Sequence, residues 1–211
     1  MARLSGFPEC AAPARQPLGP VGRDCTWSVN ASIADPRLEG RTVKRIAFSS
    51  DQIAERVAQL GDDITRAYPE GDLLVLGLLK GSFIFLSDLV RCVQRPLKVD
   101  FLVASSYGNE TESSGFVRLV YDPETELEGK HILLVEDIVD SGRTLSRVMD
   151  VLRDRKPRSL EICALLDKHV ATHLLYPAKF VGFDAPNEFL VGYGLDHAES
   201  FRHLPYIASL Q

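Results

Sequence analysis

Between residues 136 and 144 the chain brings together Glu136, Asp137 and Asp140, followed by Ser141, Gly142, Arg143 and Thr144. Carboxylates crowded this closely repel one another unless hydroxyl donors or a cation share the space. The residues that follow are small, hydroxyl-bearing and glycine-containing, and they open a helix. Backbone N–H groups in such a turn at a helix N-terminus suit a phosphate. One stretch thus offers an acidic pocket for a polyol beside a cradle for an anion, which together describe a sugar phosphate. The plainer reading is a buried strand ending in a solvated acidic turn. It accounts for the carboxylates but not for the loop attached to them.

The flanking pattern says how these residues are held. Residues 132–135 are apolar without alternation, as in a strand buried on both faces in the middle of a parallel sheet. The acids arrive at its carboxyl end, where open α/β sheets bind ligands. Leu145, Val148, Met149 and Leu152 then form one helical stripe. A second strand is expected over 160–166, another over 73–79 and a further one over 99–104. Phe83, Leu86 and Val90 suggest a helix stopping before Pro96. Ser49 and Gln52 resemble a capping box ahead of Ile53, Val57, Leu60 and Ile64. The polar stretch 105–116, SSYGNETESSGF, reads as a lid or flexible insertion. The expected fold is α/β, a central parallel sheet flanked by helices. Residues 1–40, punctuated by Pro8, Pro13, Pro17, Pro20 and Pro36, are expected to be a disordered Pro-rich extension. The folded domain spans 41–211, with a small C-terminal cap of strands and turns from about 177 to 211.

Composition narrows the function. At 211 residues, 45% hydrophobic and 25% charged, the chain is an ordinary globular protein with one sizeable core. A net charge of −5 argues against a nucleic-acid partner. An anionic substrate must then be met by local cations or a metal. Four cysteines without a C-x-x-C pair suggest neither a disulfide framework nor a zinc site. Cys92 and Cys163 read as core fillers, and a cytoplasmic setting is expected. No apolar run approaches the ~20 residues needed to span a bilayer, so no membrane partner is expected. No apolar segment follows Arg3 as a signal peptide would require. His169 and His173 have the i, i+4 spacing of a zinc helix without its glutamate, and Gly192-Tyr-Gly194 lacks the third glycine of a dinucleotide turn.

VEDIVDSGRTL, residues 135–145, resembles the 5-phosphoribosyl 1-pyrophosphate motif of type I phosphoribosyltransferases. It is most similar to the hypoxanthine-guanine branch. Ser141 stands where threonine is usual and Arg143 where lysine is common, keeping the hydroxyl and the charge. FLVGYGLD, residues 189–196, is similar to that family's purine-binding hood. The resemblance covers about residues 45–211 and implies the type I fold with a small C-terminal hood. It implies transfer of phosphoribosyl to hypoxanthine or guanine, with Mg2+ as cofactor. Glu136 and Asp137 would hold the ribose hydroxyls, Ser141, Gly142, Arg143 and Thr144 the 5′-phosphate, and Asp140 would be the general base. Lys80, Gly81 and Arg202 would meet the pyrophosphate, with the Leu79–Lys80 peptide often cis. Ser106 and Tyr107 would belong to the lid. Lys168 would donate to the purine O6, Phe189 would stack on the base, and Leu190 and Leu195 would offer backbone contacts. Asp196, with Glu136 and Asp137, would serve the metal. Relatives commonly form dimers or tetramers. A xanthine- or adenine-preferring transferase shares the sugar-phosphate site, and some relatives are ligand-sensing regulators, so both stay open at this stage.

Overall fold

The unbroken apolar runs become the middle of a sheet covered on both faces. The computed structural model describes residues 35–106, 117–121, 123, 125–170 and 175–211, with backbone alone at 105–106 and 117–120. In chain order the elements are β1 (Val43–Phe48), α1 (Ser50–Ala67), β2 (Leu73–Leu79), α2 (Phe83–Cys92), β3 (Lys98–Ser106) and β4 (Val117–Tyr121). There follow β5 (His131–Val139), α3 (Arg143–Arg153), β6 (Ser159–Asp167), β7 (Phe180–Asp184), β8 (Leu190–Val191) and β9 (Ile207–Leu210). The main sheet has the order β4-β3-β2-β5-β6-β7. Five of its strands are parallel, and β4 pairs antiparallel with β3 at one edge.

Alternate residues of each central strand feed opposite cores. Leu73 and Val75 of β2, Leu133 and Val135 of β5 and Leu165 of β6 join Ile53, Val57, Leu60 and Ile64 of α1 and Phe85, Leu86 and Leu89 of α2. Leu74, Leu76, Ile132, Leu134, Ile162 and Ala164 face the other way, onto Leu145, Val148, Met149 and Leu152 of α3. Helix α1 starts at the anticipated capping box: Ser49 Oγ accepts the Gln52 N–H, and Gln52 Oε1 accepts the Ser49 N–H.

The cap is built differently from the sequence expectation. Residues from about 177 do not all belong to it, because β7 pairs parallel with β6 and completes the main sheet. The cap is a three-stranded sheet, β1-β9-β8, and its first strand comes from the other end of the domain. Strand β1 shows little alternation, and only pairing with β9 makes it a strand. The extension also ends sooner than expected. Pro36–Leu38 forms a 3-10 turn capped by Asp35, and Leu38 is buried among Val191, Phe201, Leu204 and Ala208.

Candidate active site

The site lies where neighbouring strands part. Strand β2 pairs with β5 as far as Gly77 and Val135, and β5 then continues along β6 to Val139. From β2 the chain leaves through α2 to β3; from β5 it leaves through α3 to β6, on the opposite side and the opposite face. This is a topological switch point, and the crevice at the carboxyl ends of β2 and β5 follows from it. Glu136 and Asp137 are strand residues at that divergence rather than residues beyond the strand tip. Glu136 Oε2 is shut off from solvent and has no hydrogen-bond partner among the described residues. Burial first, and the Asp137 charge second, push the Glu136 carboxyl well above the ordinary glutamate range. A hydroxyl donor or a cation at this oxygen would favour the ionised, acceptor-only form of the carboxyl.

Beyond Val139 the chain turns through Asp140, Ser141 and Gly142. Gly142 has φ 68°, a left-handed conformation that glycine adopts without penalty, and it caps α3. Among the described residues, no side chain caps that helix start. The first-turn N–H groups of a helix have no intrahelical partner, so here they are available to an anion. Asp140, Ser141, Arg143 and Thr144 are all exposed around them.

From the facing strand come Lys80 and Gly81, after a cis Leu79–Lys80 peptide. Gly81 lies directly against Asp137: a Cβ there would stand 1.6 Å from Asp137 Oδ2. It also lies under the hood, since a Cβ on Gly194 would stand 2.1 Å from the Gly81 carbonyl oxygen. The two contacts bind three distant segments into one wall. Lys80 Nζ donates to Glu199 Oε2 at 3.0 Å. Arg202 reaches the Gly194 carbonyl at 2.7 Å, Asp196 Oδ1 at 2.7 Å and Glu199 Oε2 at 3.4 Å. Asp196 Oδ2 accepts the Glu199 N–H at 2.9 Å.

Further residues of the crevice come from β6 and from the C-terminal cap. Lys168 follows β6 immediately, its N–H bonded to the Val139 carbonyl at 3.0 Å, so its side chain emerges beside the acidic turn. Lys168 Nζ lies 3.1 Å from Asp140 Oδ2, with the lysine side chain only 15% exposed. Phe189 is 61% exposed, unlike a core phenylalanine, and meets His197 edge-on at 5.3 Å. The side chains of Leu190 and Leu195 are buried. The backbone of Leu195 is exchanged with Gly192, leaving its carbonyl one lone pair. Ser106 ends β3 opposite Val117, with its side chain outside the description. Tyr107 lies outside the described residues. His169 bonds Asp184 at 2.6 Å, and His173 lies outside the described residues.

Comparison with known proteins gives the family. A family model described as the phosphoribosyl transferase domain matches residues 49–198. The chain belongs to the phosphoribosyltransferase family. It is 46% identical over 172 residues to the hypoxanthine-guanine phosphoribosyltransferase of Dictyostelium discoideum, covering 80% of this chain and 96% of that protein. It is 47% identical over 161 residues to the hypoxanthine phosphoribosyltransferase of Salmonella typhimurium, covering 75% and 90%. Among solved structures, a hypoxanthine phosphoribosyltransferase from Staphylococcus aureus superposes with a TM-score of 0.77 at 40% identity, over 80% of this chain and 92% of the other.

One charged residue at the crevice of this phosphoribosyltransferase was not singled out by its sequence. Glu199, the partner of both Lys80 and Arg202, carries no motif signal of its own. Its position three residues before Arg202 was the available hint, and that spacing has meaning only once the intervening turn is seen.

Proposed function

We propose that this phosphoribosyltransferase works in purine salvage, joining hypoxanthine or guanine to 5-phosphoribosyl 1-pyrophosphate and releasing pyrophosphate. The observation that carries the base assignment is the Lys168–Asp140 pair at the crevice. A lysine is a donor only, so it favours the O6 carbonyl of a 6-oxopurine and opposes adenine's amino group. The carboxylate beside it accepts a proton from N7. The bond from C1′ to pyrophosphate breaks, the bond from C1′ to N9 forms, and Asp140 takes the N7 proton as a general base. Glu136 and Asp137 hold the ribose hydroxyls, and the unpartnered Glu136 oxygen supports this role. The turn from Ser141 to Thr144 receives the 5′-phosphate, while Lys80, Gly81 and Arg202 receive the pyrophosphate. Phe189 stacks on the base, and the backbone at Leu190 and Leu195 borders its edge. Ser106 and Tyr107 close over the reacting centre.

Among the described residues no three His, Cys, Asp or Glu side chains form a ready metal cage. Magnesium needs no such cage, since it takes one or two carboxylates and completes its shell from water and substrate phosphates. Glu136, Asp137 and Asp196 are the residues that would hold it, and it would neutralise charge on the departing pyrophosphate.

The same proposal places the protein in the cytoplasm, in keeping with free Cys92 and Cys163, and as a dimer or tetramer. Phe83, Val99, Phe101 and Tyr121 expose apolar surface that a second copy would cover. Among the described residues, no helix is long and apolar enough to cross a membrane. A spectrophotometric assay of hypoxanthine, guanine, xanthine and adenine with the pyrophosphate sugar and magnesium tests the function. Turnover of the first two is expected. Consumption of adenine alone, or of no base at all, would defeat the proposal.

A further inference from the structure

Glu199 sits at the tip of a turn for which its residue type is ill suited. His197 and Ser200 exchange backbone hydrogen bonds, at 3.2 Å and 3.1 Å, around Ala198 and Glu199. Both central residues have left-handed backbone, φ 51° and 68°. Tight turns of this hand favour Asn-Gly, because a Cβ crowds the carbonyl in that conformation. Packing does not explain the glutamate either, for its side chain is 67% exposed. Where local turn chemistry is broken without a packing gain, function is the first place to look.

The carboxylate of Glu199 has a particular position. Its Oε2 lies 3.0 Å from Lys80 Nζ and 3.4 Å from Arg202 Nη2, between the two cations assigned to the pyrophosphate. Lys80 first, with Arg202 adding to it, holds this carboxyl below the ordinary glutamate range. Asp196 steadies the turn from the other side, gripping Arg202 with Oδ1 and the Glu199 N–H with Oδ2. Lys80 and Arg202 come from different ends of the domain, and Glu199 is the side chain that joins them.

We propose that Glu199 is an internal stand-in for the leaving group, its carboxylate occupying Lys80 and Arg202 until pyrophosphate displaces it. The inference rests on the transferase reading above. Glu199 is then a positioning residue: it keeps two like charges gathered on an empty site and competes with the product for them. A site occupied by its own carboxylate binds pyrophosphate more weakly, in proportion to the time the carboxylate is in place. Rapid product release follows from the same competition.

The test is calorimetric titration of magnesium pyrophosphate into wild type, Glu199→Gln and Glu199→Gly. Exposed ion pairs are individually weak, so the Kd is expected to fall by about 3- to 10-fold in both variants. The pyrophosphate inhibition constant should fall in parallel. A merely structural turn residue would behave differently: Glu199→Gly would raise the Tm by relieving left-handed strain, and the Kd would stay where it was. An unchanged or weaker Kd for Glu199→Gln overturns the inference. Nucleotide formation by the wild type is measured alongside. If the wild type is active and the Kd values are equal, only this inference falls; an inactive wild type removes the transferase reading and the inference with it.

Discussion

Lys168 Nζ and Asp140 Oδ2 lie 3.1 Å apart, although 28 positions separate them in sequence. The parallel pairing of β5 with β6, which aligns Val139 with Asp167, brings their two strand ends side by side. On the proposed reading, a hydrogen-bond donor for O6 and an acceptor for the N7 proton thus stand together before any base arrives. Preorganised groups of this kind need little rearrangement at the moment of reaction.

For Asp140 the expected outcome concerns turnover. Asp140→Asn keeps the shape and removes the base, so kcat should fall by at least ~10-fold. Binding of the pyrophosphate sugar, read by calorimetry with magnesium, should change little. Undiminished kcat would take the general base out of the scheme.

For Lys168 the expectation concerns the purine. Replacing a nearly enclosed charged donor by glutamine should lower kcat/KM for hypoxanthine by about 10- to 100-fold, the worth of a hydrogen bond to a charged group. The amide of Lys168→Gln can also accept, so discrimination against adenine should shrink. Steady-state kinetics on both bases decide it; an unaltered ratio would move base selection to another residue.

The Glu136 carboxyl makes stability depend on pH. Its raised pKa means the folded protein holds a proton that the unfolded chain releases more readily. The stability tied to that proton is complete below the unfolded-state pKa and is lost as pH rises through the folded value. Without divalent ions, Glu136→Gln should therefore raise the Tm more at about pH 8 than at about pH 5. Thermal unfolding at the two pH values measures this, and equal gains would assign the slope elsewhere.

Gly81 and Gly194 should tolerate no side chain. The Cβ of Gly81→Ala would overlap the Asp137 carboxylate, and that of Gly194→Ala, at φ 102°, would meet the Gly81 carbonyl. Overpacking of this kind costs about 1–3 kcal/mol. The Tm should drop in each variant and the KM for the pyrophosphate sugar should rise. Normal values for Gly81→Ala would mean that the loop is not held against β5.

Much of this was legible in the chain itself. The apolar runs of β2, β5 and β6 announce strands with two buried faces, because a strand covered on both sides has no polar face to show. The stripes of α1 and α3 announce which helix faces are buried. The loop from Asp140 to Thr144 announces phosphate chemistry, because hydroxyls and free N–H groups gather there within one turn. Other features had no local signature. Strand β1 joins the hood through pairing with β9, and β7 joins the main sheet rather than the hood; both depend on hydrogen bonds to residues far away. The Gly81–Asp137–Gly194 wall is a matter of close approach between three segments, and sequence carries residue types but not distances. Glu199 became a partner of Lys80 and Arg202 only when the hood closed over the crevice. Local periodicity and residue chemistry were enough to say which pieces exist and which of them has the groups a phosphate needs; which charges face one another was decided by the packing of pieces distant in the chain.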